Sequence, residues 1–128
     1  MSGLKMFIRI LFTIAAIGAI ASSCEKVIFL PPPLPDTTKY ISFDTIIKPI
    51  FTKDGCVSCH GGTFAPNLKN DPYTALTTGG YLLRSDSTNP DVSVFYNWIT
   101  TNSDHIPRTT PTDKANIHLW IKQGVRNN

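Results

Sequence analysis

The chain has 128 residues, 41% of them hydrophobic and 16% charged, with ten prolines, eight glycines, three cysteines and a formal net charge of +3. These values exclude two large domains and a wholly disordered chain, and they leave room for one small core at most. The basic excess is mild and contains no run of Lys and Arg, which argues against a nucleic-acid-binding protein with its clustered basic face. The odd cysteine count is the number that needs a cause.

Lys5 and Arg9 flank the start of an apolar stretch, Ile10 to Ala21, which runs into Ser22-Ser23-Cys24. Basic, apolar and small segments in that order form a secretory signal. The apolar run is well short of the roughly 20 residues a helix needs to cross the hydrocarbon core, so a permanent transmembrane helix is the weaker reading. Small residues running directly into a cysteine resemble the cleavage box of bacterial lipoproteins, with Ala21 standing where Leu is commonest. The resemblance implies a signal peptide over residues 1–23 and a lipid on Cys24. The alternative is an ordinary signal cut nearby, with Cys24 left as a free thiol. Either way the expected location is the bacterial cell envelope, with the lipid anchor attaching the chain to a membrane.

Residues 24–39 include Pro31, Pro32, Pro33 and Pro35. Such a stretch favours extended polyproline structure, rising about 3.1 Å per residue, and reads as a semi-rigid stalk. A proline-rich recognition ligand is the alternative. From residue 40 to the end the pattern is helical and broken by loops, which predicts an all-α domain over 40–128.

Ser42 is a candidate cap for a helix in which Phe43, Ile46, Ile47, Ile50 and Phe51 recur at helical spacing. Pro49 lies inside it, where a kink or break is expected. Asp71 and Pro72 suit the cap and first position of a second helix, to about Thr77. A third is expected from about Val92 to Thr100, with Phe95, Trp98 and Ile99 sharing a face. A fourth begins at Thr112 and carries Ile117, Trp120 and Ile121 on one stripe before Gly124 stops it. Gly79-Gly80 and the Ser85–Pro90 segment read as turns.

Cys56-Val57-Ser58-Cys59-His60 is a Cys-x-x-Cys-His sequence, the attachment signature of c-type haem. Thiols two residues apart on one turn can add to the two vinyl groups on one porphyrin edge, and the adjacent imidazole then serves as the proximal iron ligand. A covalently held haem c also supplies a large apolar plate as core, and it cannot dissociate from a domain too small to enclose it fully. Three rivals compete. A zinc site needs a second ligand pair, and His105 and His118 fall outside the usual finger spacing. A thioredoxin-like pair needs a βαβ context that this helical pattern lacks. A plain Cys56–Cys59 disulfide leaves His60 unexplained.

With the haem motif in place, the segment from Phe43 to Asn128 resembles the small class I c-type cytochrome domains of bacterial envelope proteins. The shared pieces are Ile47-Lys48-Pro49-Ile50-Phe51 before the motif, Ala65-Pro66-Asn67-Leu68 after it, Tyr73 to Leu76, Ser93-Val94-Phe95-Tyr96, and the ending from Leu119 to Asn128. The resemblance implies an all-α fold with its first and last helices packed across each other, one haem between them, and electron transfer rather than enzymatic turnover. It implies redox proteins of the envelope as partners.

In that family a Met before a Pro, in the loop preceding the final helix, usually supplies the sixth iron ligand. Here the loop reads Ser103-Asp104-His105-Ile106-Pro107, and the only methionines, Met1 and Met6, lie in the signal segment. Three arrangements stay open: His105 as the second ligand, an open site capped by Ile106, or His118 from the last helix. A His–His pair makes a low-potential electron carrier, whereas an open site admits oxygen, nitric oxide or carbon monoxide and makes a binding or sensing module. Lesser candidates are Arg84, Trp98 and Tyr81 near the propionates and Asp104 beside His105, each equally at home as an ordinary loop or core residue. No Gly-rich phosphate loop and no Gly-x-Ser-x-Gly motif is present.

Overall fold

A computed structural model describes residues 33–128, together with Gly3 and Leu30. The expected signal peptide and lipid site at Cys24 lie outside the described residues, as does most of the proline-rich stretch before Pro33.

Ser42 caps the first helical segment, its Oγ accepting the Thr45 N–H at 3.3 Å. It opens a π-helical turn, Phe43–Ile47, that passes directly into α1, Lys48–Lys53. The Lys48 N–H reaches back to the Phe43 carbonyl, five residues earlier, just before Pro49. Pro49 has no N–H to donate, and the expected break takes the form of a change of winding from π to α rather than an interruption. The apolar stripe survives the change: Phe43, Ile47, Ile50 and Phe51 are all buried.

Gly55, in the left-handed region at φ +73°, turns the chain into α2, the single turn Cys56–Cys59. α3, Pro72–Thr78, starts as the sequence predicts, with Asp71 accepting the Thr74 N–H at 3.1 Å. Two 3₁₀ turns follow, Arg84–Thr88 and Pro90–Val92. α4 is Val94–Thr101, two residues later than the predicted start, because Val92 belongs to the preceding turn and Ser93 Oγ caps the helix at the Tyr96 N–H, 3.1 Å away.

α5, Pro111–Lys122, begins one residue before the predicted cap Thr112. Thr110 is the cap instead, its Oγ accepting the Asp113 N–H at 3.2 Å, and Pro111 takes the first helical position. The helix ends at Gly124, φ +96°, and the Val125 N–H returns to the Trp120 carbonyl at 3.3 Å.

Among the described residues there is no strand, and this part of the protein is all-α. Ile117, Trp120 and Ile121 of α5 are essentially inaccessible, each contributing on the order of 1.5–3 kcal/mol of apolar burial. The Phe43 ring lies 5.3 Å from both Trp120 and Tyr73, centroid to centroid, so the first helical segment packs on the last. The indole N–H of Trp120 donates to the Arg126 carbonyl at 2.8 Å, which removes the cost of burying it. The chain end closes the same seam, where Ser42 Oγ and the Asp44 N–H both donate to the Asn128 carbonyl.

Candidate functional site

The motif turn is anchored on both sides. Lys53, the last residue of α1, reaches Asp113 in the first turn of α5 at 2.5 Å, and Asp113 also accepts from Thr110 Oγ. After the motif, the His60 carbonyl accepts the Leu68 N–H at 2.7 Å and ties the following loop back to it. Gly61 passes so close to the preceding turn that a Cβ there would lie 2.6 Å from the Val57 carbonyl oxygen. Only glycine permits that approach without a shift of the backbone that carries His60.

Within this turn Cys56 and Cys59 are free thiols, Cys56 half-buried and Cys59 exposed. Burial pushes the Cys56 thiol above its ordinary pKa, with the Asp54 carboxylate adding to the rise. A redox pair of the thioredoxin kind needs the opposite shift at its nucleophilic cysteine, so the Cys56 thiol is not poised as a thiolate nucleophile. Asp54 is half-buried as a residue, its side chain only 3% exposed. Burial raises its pKa, Asp113 raises it further and Lys53 opposes both. Its Oδ2 has no hydrogen-bond partner among the described residues.

His60 Nδ1 is closed off from solvent and has no partner, whereas among the described residues its Nε2 is neither closed off nor hydrogen-bonded. Nε2 is therefore the nitrogen presented to a ligand. Near it is His105, whose ring centroid lies 6.2 Å from that of His60 with the planes at 42°. Two imidazoles that bind one metal through Nε2 from opposite sides, at metal–nitrogen distances of about 2.0–2.1 Å, place their centroids roughly 6.3 Å apart. The two histidines fit a shared iron on this measure. Among the described residues no three His, Cys, Asp or Glu side chains come together at metal-binding distance, so the four-ligand cage of a structural zinc site is not assembled here.

The His105 loop is tightly wound. The Asn102 carbonyl accepts the N–H groups of His105 and Ile106 at 3.0 and 2.9 Å, and Asn102 Oδ1 lies 2.9 Å from His105 Nδ1. The Trp98 indole meets the His105 ring edge-on at 5.5 Å. Burial lowers the His105 pKa, His60 and Arg108 lower it further and Asp104 opposes them, which favours the neutral, metal-binding form of the ring.

The other sequence candidates fall elsewhere. Ile106, proposed as the cap of an open site, is 41% exposed. His118 packs against Tyr96, centroids 5.1 Å apart, and lies 3.5 Å from Asp91 rather than joining the His60–His105 pair. Arg84 is exposed and lines a cavity of about 190 Å³ with Tyr73, Thr77, Leu82, Leu83 and Val125, none of them motif residues. Tyr81 is half-buried against the core, and Trp98 remains 52% exposed. Asp104 gives its backbone N–H to Asn102 Oδ1 at 2.9 Å, and its backbone carbonyl accepts from Arg108 Nε at the same distance. Sequence reading missed Asn102, Asp54 and the Lys53–Asp113 pair. Asn102 alone left a local signal, an Asn two residues before the N–H that it accepts. Compared with known proteins, the chain matches no family model, no curated protein and no solved structure.

Proposed function

We propose that residues 40–128 form a monohaem c-type cytochrome domain that passes single electrons between redox proteins of the bacterial cell envelope. The observation that carries this reading is the Cys-x-x-Cys-His turn with a second imidazole close by, the His60 and His105 ring centroids being 6.2 Å apart. Cys56 and Cys59 would each add S–H across a vinyl C=C bond, forming one C–S and one C–H bond with no oxidant needed. His60 and His105 would hold the iron through Nε2. When bound, the haem supplies a one-electron ferric–ferrous couple, set low by two imidazoles rather than a thioether and an imidazole.

The chain's own residues do the rest. Lys53 and Asp113 tie the end of α1, just before the motif turn, to α5, Gly61 lets the chain after His60 pass close to the Val57 carbonyl, and the half-exposed Trp98 beside His105 leaves an aromatic edge at the surface. Cys24 carries the lipid, and the proline-rich residues 24–39 hold the domain off the membrane. The test is a pyridine haemochrome spectrum and a redox titration of protein made in a host that attaches haem to such motifs. One covalent haem per chain and a reversible one-electron couple are expected. A preparation without a Soret band would refute the proposal and leave a haem-free structural domain.

A further inference from the structure

We propose, on the haem reading above, that Asn102 is a positioning residue that fixes the tautomer of His105 and thereby presents its Nε2 lone pair to iron. Two contacts on a single atom carry the inference. Asn102 Oδ1 lies 2.9 Å from the backbone nitrogen of Asp104 and 2.9 Å from His105 Nδ1. A backbone N–H can only donate, so the side-chain atom that meets it is the amide oxygen and not the amide nitrogen. An amide oxygen can only accept. His105 Nδ1 must therefore carry the proton, and in a neutral imidazole the lone pair is then on Nε2.

The backbone supports the same geometry. Asn102 ends α4 as its C-cap, and its carbonyl accepts from both His105 and Ile106, so the acceptor and the ring it orients are held in one turn. Free imidazole interconverts between tautomers, and a ring with its proton on Nε2 cannot use that nitrogen as a ligand. Selecting the other tautomer before the metal arrives removes that competition. The Nδ1–H···O bond also raises the basicity of Nε2, as acceptors behind ligating histidines do.

The test compares the haem-loaded wild type with Asn102→Ala, Asn102→Asp and His105→Ala. Covalent haem is measured for each by pyridine haemochrome, and folding by circular dichroism. The wild type is expected to show a low-spin ferric spectrum that His105→Ala converts to high-spin. Asn102→Ala should develop a high-spin fraction and a higher reduction potential. Carbon monoxide should bind its ferrous form about tenfold faster or more, in line with the usual cost of losing an outer-shell partner. Asn102→Asp keeps an oxygen acceptor for both N–H groups and should stay low-spin. Its potential should fall below that of the wild type, because a carboxylate is the stronger acceptor. That fall should persist at high salt, where the through-space effect of an exposed charge is screened.

A purely structural role for Asn102 predicts that the aspartate variant returns to the wild-type potential at high salt, and this result would overturn the inference. So would an Asn102→Ala protein with wild-type spectrum, potential and carbon monoxide kinetics. A low-spin His105→Ala protein would remove His105 as the ligand, and the role of Asn102 with it. Wild type without covalent haem would refute the haem reading itself, an outcome distinguishable from the others by the haemochrome measurement.

Discussion

Lys53 and Asp113, 60 positions apart in the chain, meet at 2.5 Å and join the end of α1 to the start of α5. Asp113 is buried and serves Thr110 as well, whereas Lys53 is more than half exposed, so the worth of the contact lies mainly in satisfying the buried carboxylate. Asp113→Ala removes both bonds. It also lets Lys53, already 3.9 Å from Asp54, engage that carboxylate alone, which offsets part of the loss. A destabilisation of about 1–2 kcal/mol is expected, read as a lower denaturant midpoint at unchanged m-value. An unchanged midpoint would show that the anchor carries no weight.

Asp54 supplies a pH-dependent prediction. Its carboxyl titrates above the ordinary range because it is buried, with Asp113 adding to the rise. A raised folded-state pKa means that the folded protein holds the proton more tightly than the unfolded chain. The group therefore favours folding at pH below the ordinary Asp value of about 3.9, and that contribution is lost as the pH rises through the folded value. At neutral pH the ionised, partly unpartnered carboxylate is a net cost. Asp54→Asn should melt at a higher temperature than the wild type at pH 7, with the gap shrinking as the pH is lowered to about 4. A variant less stable at pH 7 would contradict this account of the site.

Gly61 is predicted to resist even the smallest substitution. A Cβ at this position would meet the Val57 carbonyl at 2.6 Å, and backbone cannot swing aside as a flexible side chain can. Gly61→Ala should cost about 1–3 kcal/mol, as overpacking does. It should also perturb the His60 ring, visible as an altered Soret maximum in the haem-loaded protein. Wild-type stability and spectrum together would show that the turn is more yielding than its geometry implies.

Removal of His105 separates carrier from sensor. His105→Ala should turn the ferric protein high-spin, and its ferrous form should bind carbon monoxide rapidly and completely, whereas the wild type binds slowly or incompletely. Rapid, complete binding by the wild type would favour the open-site module instead. Replacement of His118, which is engaged with Tyr96 and Asp91, should leave both observations unchanged.

What could be read from the chain was what is local along it. The caps Ser42 and Asp71 and the buried Ile117, Trp120, Ile121 stripe follow from residues within a turn or two of each other, and the structure has them as expected. The start of α5 slipped because Thr110 and Thr112 flank Pro111 and both qualify as caps. Thr110 prevails because it places Pro111 at the first helical position and Asp113 where its N–H reaches the cap oxygen. At Pro49 the missing N–H was legible but its outcome was not, since propensity does not distinguish a break from a π turn. The proximity of His60 and His105 was one arrangement among three in the sequence, because the approach of two loops distant in the chain is set by tertiary packing. The Lys53–Asp113 anchor and the buried Asp54 were invisible for the same reason.

The most direct test of the haem assignment is the intact mass of the full chain purified from a host that matures c-type cytochromes. The account predicts the mass of the processed chain, including its lipid where that is retained, plus one covalently bound haem. That increment should survive denaturation and disappear in the Cys56→Ser/Cys59→Ser double variant. A denatured wild-type chain at the same mass as the double variant, corrected only for the two substitutions, would contradict it.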